Sequence, residues 1–320
     1  MLRKFLLCLV FALLPQVVLA QAYPNKPIKI LVPFTAGGSS DIIARSIGIK
    51  LAEIMGQPVV VENRPGANGA IAAEMTAKAP ADGYTILVGS IGVFSINPAL
   101  YKALPYQPLR DFDLLTVAVR NPNILIATPK FPANTVAELI DYLKKNPGKT
   151  SFVSSGSGSS DHLSAELFWQ RTGTTGIHVP YKGGSAAMTD LIGGGVDVSF
   201  QNLGAASGHI NGGRLKAIAV TSDKRVPQFP NVPTMAEAGI SGFEVYSWQA
   251  VVAPKGLPKD VLAKLQAGVV AALNAPDNKA RLDAQGFEVV ANSSEQFNEF
   301  LKGELARWKS VVDTAGIKAD

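Results

Sequence analysis

The residues able to do chemistry in this chain are small and polar, and they cluster in three turns. The first is Pro33-Phe34-Thr35-Ala36-Gly37-Gly38-Ser39-Ser40-Asp41, after an apolar run ending at Val32. Glycine at 37 and 38 permits positive φ and close approach to the backbone. Successive N–H groups opening a helix make an anion site. Asp41 reads as a helix cap with Arg45 four residues on to neutralise it, and capping alone or capping plus ordering of water or ligand both fit. The second turn, Ser154-Ser155-Gly156-Ser157-Gly158-Ser159-Ser160-Asp161-His162, adds hydroxyls to the amides. His162 reads there as a helix-start residue bonded within its own half of the molecule, the alternative being a general base. The third, Tyr181-Lys182-Gly183-Gly184-Ser185-Ala186, offers Lys182 either to an anion or to solvent. Backbone amides, hydroxyls and one ammonium suit an anion, and the first turn is a binding loop without catalytic groups.

Other chemistries lack their residues. His162, His178 and His209 stand 16 and 31 residues apart, so no helical pair chelates zinc, and no acidic run has calcium-loop spacing. Gly148-Lys149-Thr150 resembles the end of a phosphate loop, but Leu143 holds the place of its first glycine. Gly156-Ser157-Gly158 opens like a dinucleotide fingerprint, yet Asp161 occupies the third glycine position. No serine lies in a G-x-S-x-G elbow. No cofactor and no metal are expected.

The elements that must hold these turns follow from pattern. The chain has 320 residues, 47% hydrophobic and 17% charged, which excludes global disorder and allows two domains. Arg3 and Lys4, the apolar run Phe5–Leu14 and Ala20-Gln21-Ala22 read as an export signal over residues 1–22, cleaved after Ala22 or after Ala20. The only cysteine, Cys8, lies within it. A mature chain would therefore have no disulfide and no thiol chemistry. Setting Arg3 and Lys4 aside leaves 28 basic against 25 acidic residues, too mild a balance for nucleic acid.

Short β-branched runs are predicted as strands at 28–32, 59–61, 85–88, 125–127, 152–154, 196–200 and 215–220. Ile43, Ile47, Leu51 and Ile54 share one face of a helix ending at Gly56, and Phe297, Phe300, Leu301, Leu305, Trp308 and Val312 mark the last helix. The alternation predicts an α/β fold with largely parallel sheets. Two extended segments, 114–128 broken by Arg120-Asn121-Pro122-Asn123 and 243–254, read as crossings between two lobes. The expected layout is lobe 1 from 23–120 plus 250–320 and lobe 2 from 121–249, with a cleft between them.

The order of motifs resembles a known family. Tyr23-Pro24, Pro33-Phe34 with Gly37-Gly38 and Asp41, Glu62-Asn63-Arg64-Pro65-Gly66-Ala67, Ile96-Asn97-Pro98-Ala99-Leu100-Tyr101, Leu104-Pro105-Tyr106, Val179-Pro180-Tyr181-Lys182-Gly183, Val232-Pro233-Thr234 and Trp248 are similar to the Bug family. These are the periplasmic receptors of tripartite tricarboxylate transporters. The resemblance implies a two-lobed type II periplasmic binding fold that closes on a small organic carboxylate and delivers it to membrane permease subunits. It implies a monomer in the periplasm of a Gram-negative bacterium, with no catalysis. It carries a binding role onto Ala36, Gly37, Gly38, Ser39, Ser40 and Asp41, onto Ser155, Gly156, Ser157, Ser159 and Ser160, and onto Lys182, Gly183, Gly184 and Ser185.

Departures from the family pattern bear on the ligand. Ser157 stands where Asn is usual, Phe94 where His is common, Gln201 for an acidic residue before Asn202, and Gln249 for an aromatic after Trp248. Phe94, Ser157, Asp161, Gln201, Asn202 and Gln249 are therefore expected near the cleft, Phe94 suiting a ring-bearing or aliphatic acid. Two other functions fit the same residues. One is a ligand-loaded subunit for a membrane sensor, the other a secreted hydrolase using Ser157 or Ser159 with His162.

Overall fold

The computed structural model describes residues 23–317 apart from Lys182, so the export signal expected over 1–22 and the site residue Lys182 lie outside the described residues. The first half alternates as expected: β1 (Ile28–Val32), α1 (Ser39–Met55), β2 (Val59–Asn63), α2 (Ala70–Ala77) and β3 (Thr85–Ser90). A π-turn (Gly92–Ile96) and the short α3 (Asn97–Leu100) and α4 (Pro108–Asp111) lead into the long β4 (Phe112–Ala127). The second half holds α5 (Val136–Lys145), β5 (Ser151–Ser154), α6 (Ser160–Thr172), β6 (Ile177–Pro180), α7 (Gly184–Gly193), β7 (Val198–Asn202), α8 (Leu203–Asn211) and β8 (Lys216–Val220). The chain returns through β9 (Tyr246–Pro254), α9 (Lys259–Asn274), α10 (Pro276–Ala284), β10 (Glu288–Val289) and α11 (Ser294–Ala315).

The strands form one sheet in the order β2-β1-β3-β9-β4-β7-β5-β6, with β8 and β10 also pairing β4. Pairing is parallel within each half, β1 with β2 and β3, β5 with β6 and β7. It is antiparallel along the seam made by β9 and β4. Parallel strands need helical crossovers, so every β1- or β5-type strand ends in a turn that starts a helix. Those turns all lie at the carboxyl ends of their strands, on the side where such sheets bind ligands.

The break expected at Arg120–Asn123 does not occur, because β4 runs straight through it. Pro122 opposite Tyr246 is the last pair with β9, and Asn123 opposite Asn202 is the first with β7. A residue with no N–H to donate sits where the strand changes partners.

Packing follows the predicted stripes. Ile43, Ile47 and Leu51 of α1 are fully buried against Ile28, Ile30 and Val32 and against Leu265 and Val269 of α9. In the second half Leu163 and Phe168 of α6 bury against Phe152 and Phe200. The helix α11 opens with a capping box between Ser293 and Gln296, and its Phe297, Leu301, Trp308 and Val312 join the same core. Phe300, predicted with that stripe, is instead 39% exposed and meets Trp248 edge-on. Because α11 packs on α3 and on α6, it touches both halves of the molecule.

Candidate functional site

The first turn is held open by its own helix. Gly37 takes φ +85°, where only glycine is comfortable, but Gly38 is extended at φ −80°. Positive φ, expected at either glycine, is thus a requirement at Gly37 alone. Asp41 does not act as the helix cap. The cap is Gly38, without a side-chain bond, and the Asp41 carboxylate reaches back to accept from the Gly37 N–H at 2.9 Å. It also accepts from Arg45 Nε at 3.0 Å and from Asn63 Nδ2 at 3.0 Å. Burial pulls its pKa up, but the bonds from Arg45, Gly37 and Asn63 outweigh this and hold it below the usual carboxylate range. The Gly37 amide is therefore spent on Asp41. The amides opening the 17-residue α1, at Ser39 and Ser40, have no helical acceptor by geometry.

The second turn repeats this device with an imidazole in place of the carboxylate. Gly158, at φ +78°, donates its N–H to Nδ1 of His162 four residues on, 3.1 Å away, and Nε2 of His162 faces Glu166 at 3.5 Å. His162 is therefore bonded within its own half, and its ring stacks on His178 with centroids 3.6 Å apart. The helix cap is Ser159, whose hydroxyl accepts from the His162 N–H. Asp161 is 3% exposed and accepts from the Ser155 N–H at 2.6 Å, the Ser155 hydroxyl at 2.7 Å and Gln201 Nε2 at 3.2 Å. Burial nevertheless pushes its carboxyl above the usual range. Gly183, at φ +123°, caps α7, and a Cβ on Gly184 would stand 3.1 Å from Gln201 Oε1 and 3.2 Å from Ser155 Oγ. Turns two and three therefore form one surface.

The halves meet at these turns. Ser39 Oγ of the first half donates to Asn202 Oδ1 of the second at 3.2 Å, and Asn202 Nδ2 donates to Asn123 Oδ1 at 2.6 Å. A Cβ on Gly183 would lie 4.0 Å from Thr35 Oγ1, and one on Gly158 would overlap Leu100 and touch Asn68. The structure is thus closed, with the first turn against the second and third.

Of the residues singled out in sequence, Ala36 and Ser185 are exposed, Ser40 and Ser160 are buried under their turns, and Gly38, Ser39, Ser155, Gly156, Ser157, Ser159, Gly183 and Gly184 are partly accessible. Gln201 is buried behind the second and third turns and Asn202 stands at the crossing point. Phe94, expected near the cleft, is a core residue. It is fully buried, stacked on Trp248 at 6.1 Å and edge-on to Phe112, on the sheet face away from α1. A phenyl ring has no hydrogen bond to lose by burial, and the hydrophobic core claims it. Thr35, Asn68 and Asn121 were not singled out. Asn121 did carry a signal, being a polar residue inside an otherwise apolar strand.

Two sheet halves joined by a pair of crossing strands, with glycine-rich turns closing on one another, define a two-lobed α/β binding fold. The model of the tripartite tricarboxylate transporter family receptor matches residues 43–317. Protein BugT of Bordetella pertussis is 38% identical over 300 residues, 93% of this chain and 92% of that protein. Among solved structures, Rpa4515 of R. palustris with adipate is 38% identical with a TM-score of 0.88, covering 92% of this chain and 99% of that one. MatC of Rhodopseudomonas palustris with bound malate is 32% identical at a TM-score of 0.85, over 91% and 100% of the two chains. The chain belongs to the tripartite tricarboxylate transporter receptors of Bug type, a family of solute-binding receptors. Among the described residues no helix is long and apolar enough to cross a membrane.

Proposed function

We propose that this chain captures a small organic carboxylate between its two halves in the periplasm and hands it to the permease subunits of a tripartite tricarboxylate transporter. The observation that carries the reading is the meeting of three turns, each opening a helix, at Ser39, Ser160 and Gly184, with Ser39 and Asn202 bonded across the cleft. Amides and positive dipole ends brought together where the two halves meet favour a negative group. Residues 23–120 with 250–320 and residues 121–249 act as the two lobes, hinged on β4 and β9. The first turn takes one carboxylate on the Ser39 and Ser40 amides, and the second and third set what lies beyond it. The relatives holding adipate and malate support this ligand class.

Covalent chemistry has no machinery in this reading. The His162 ring is turned to Gly158 and Glu166, and a serine that does meet an imidazole, Ser154 at His178 Nε2, is 1% exposed in β5. Melting the protein against mono- and dicarboxylates, sugars and cationic amino acids tests the proposal. A carboxylate at 100 times its Kd stabilises by about 2.7 kcal/mol. Shifts with sugars or cationic amino acids and none with any carboxylate would overturn it.

A further inference from the structure

The floor of the cleft holds an unpaired hydrogen-bonding group. Ser90 faces Gln249 across β3 and β9, Gln249 faces Val119 across β9 and β4, and Asn121 faces Ser247 on the next step. Cross-strand partners share a face, and so do Val119, Asn121 and Asn123 at steps of two along β4. That face is the one on which the two helices converge. Val119 packs in the core of α1, while Asn123 donates to Ser164 of α6 and accepts from Asn202, which in turn accepts from Ser39. Asn121 and Gln249 therefore share the face of β4 and β9 that leads to the Asn123–Asn202–Ser39 crossing point.

Asn121 is 0% and Gln249 1% exposed. Neither Nδ2 nor Oδ1 of Asn121, nor Oε1 of Gln249, has a hydrogen-bond partner among the described residues. Buried amides are nearly always paired, since leaving them dry forfeits their hydration with nothing in return.

We propose that Asn121 and Gln249 read a hydroxyl group on the carbon chain of the ligand, so that the receptor is selective for hydroxy acids. This rests on the carboxylate reading above. A hydroxyl both accepts and donates: it accepts from Asn121 Nδ2 and donates to one of the two amide oxygens, Gln249 Oε1 or Asn121 Oδ1. A keto oxygen leaves both acceptors unpaired, and an ammonium leaves the Asn121 donor unpaired. An unsubstituted methylene leaves all three, which is why a site built to bond a hydroxyl rejects the analogue lacking it.

Titration calorimetry with malate against succinate, and with 2-hydroxyadipate against adipate, tests the inference on the wild-type protein, Asn121→Leu and Gln249→Met. The wild type should favour the hydroxylated member of at least one pair by about tenfold or more, and the ratio should fall to within about twofold in each variant. Melts serve as the folding control, and replacing an unpaired buried amide with an apolar group of similar size should leave stability equal or higher. A purely structural role would weaken both members of a pair alike. Equal wild-type affinities for hydroxylated and plain acids overturn the inference and leave the receptor reading standing, as does a ratio that survives both variants. Binding of no carboxylate at all overturns both.

Discussion

Gly38→Val loses carboxylate binding by about a hundredfold or more while the protein still folds. Gly38 is extended, a conformation valine adopts readily, and a Cβ there meets nothing nearer than Thr35 O at 3.7 Å. The fold has no reason to resist the change. The ligand does, because the isopropyl group stands beside the Ser39 and Ser40 amides that open α1. Bonds from N–H groups to a charged acceptor contribute about 1.5–3 kcal/mol each, and displacing the carboxylate from two of them gives the expected loss. Gly37→Val separates backbone strain from access. Its φ of +85° is one that L side chains rarely adopt, so that variant should lose stability even though its Cβ would find open space. Calorimetry and melts on the two variants read the distinction. Near wild-type affinity in Gly38→Val would show that the first turn does not hold the anion.

Glu304→Leu should give the largest loss of stability. One carboxylate oxygen of Glu304 accepts from both Trp248 Nε1 at 2.8 Å and Trp308 Nε1 at 2.9 Å, and the two indoles are 1% and 0% exposed. Removing the acceptor leaves two buried donors dry at about 1–3 kcal/mol each, or about 2–6 kcal/mol in sum. For a chain of this size that is on the order of 3–10 °C in Tm. Glu304→Gln keeps an oxygen in place and should retain most of the stability. Trp248 lies on crossing strand β9 and Trp308 on α11, which touches both halves, so the carboxylate ties the hinge to the strap behind it. Equal melts for the Leu and Gln variants would show that the indole bonds are not what Glu304 contributes.

The parallel core was legible in sequence because strands buried on both faces and helices with one apolar face leave strong periodic signals. Ile28–Val32, the Ile43-Ile47-Leu51 stripe and its stop at Gly56 are such cases. The seam was less so. Pro122 reads as a strand breaker, and only the structure reveals that it falls where β4 trades β9 for β7. The turns were found from composition alone, since Gly and Ser at strand ends have few other uses. Their internal bonding was not. Nothing in spacing tells that Asp41 bonds back to the Gly37 amide or that His162 does the same for Gly158, so each turn's available donors had to be seen. Phe94 was misplaced because a side chain's face depends on strand pairing, which motif resemblance does not carry. Asn121 went unused for the converse reason: a lone amide in a strand looks like a defect until its neighbours across β9 are known.

The most direct test of carboxylate capture is native mass spectrometry of the protein purified without refolding. Closed turns bonded through Ser39 and Asn202 should retain their ligand through purification. The prediction is a single adduct per chain that, on denaturation, is recovered as a small organic acid carrying at least one carboxylate. A retained sugar or cationic amino acid in that place would contradict the account.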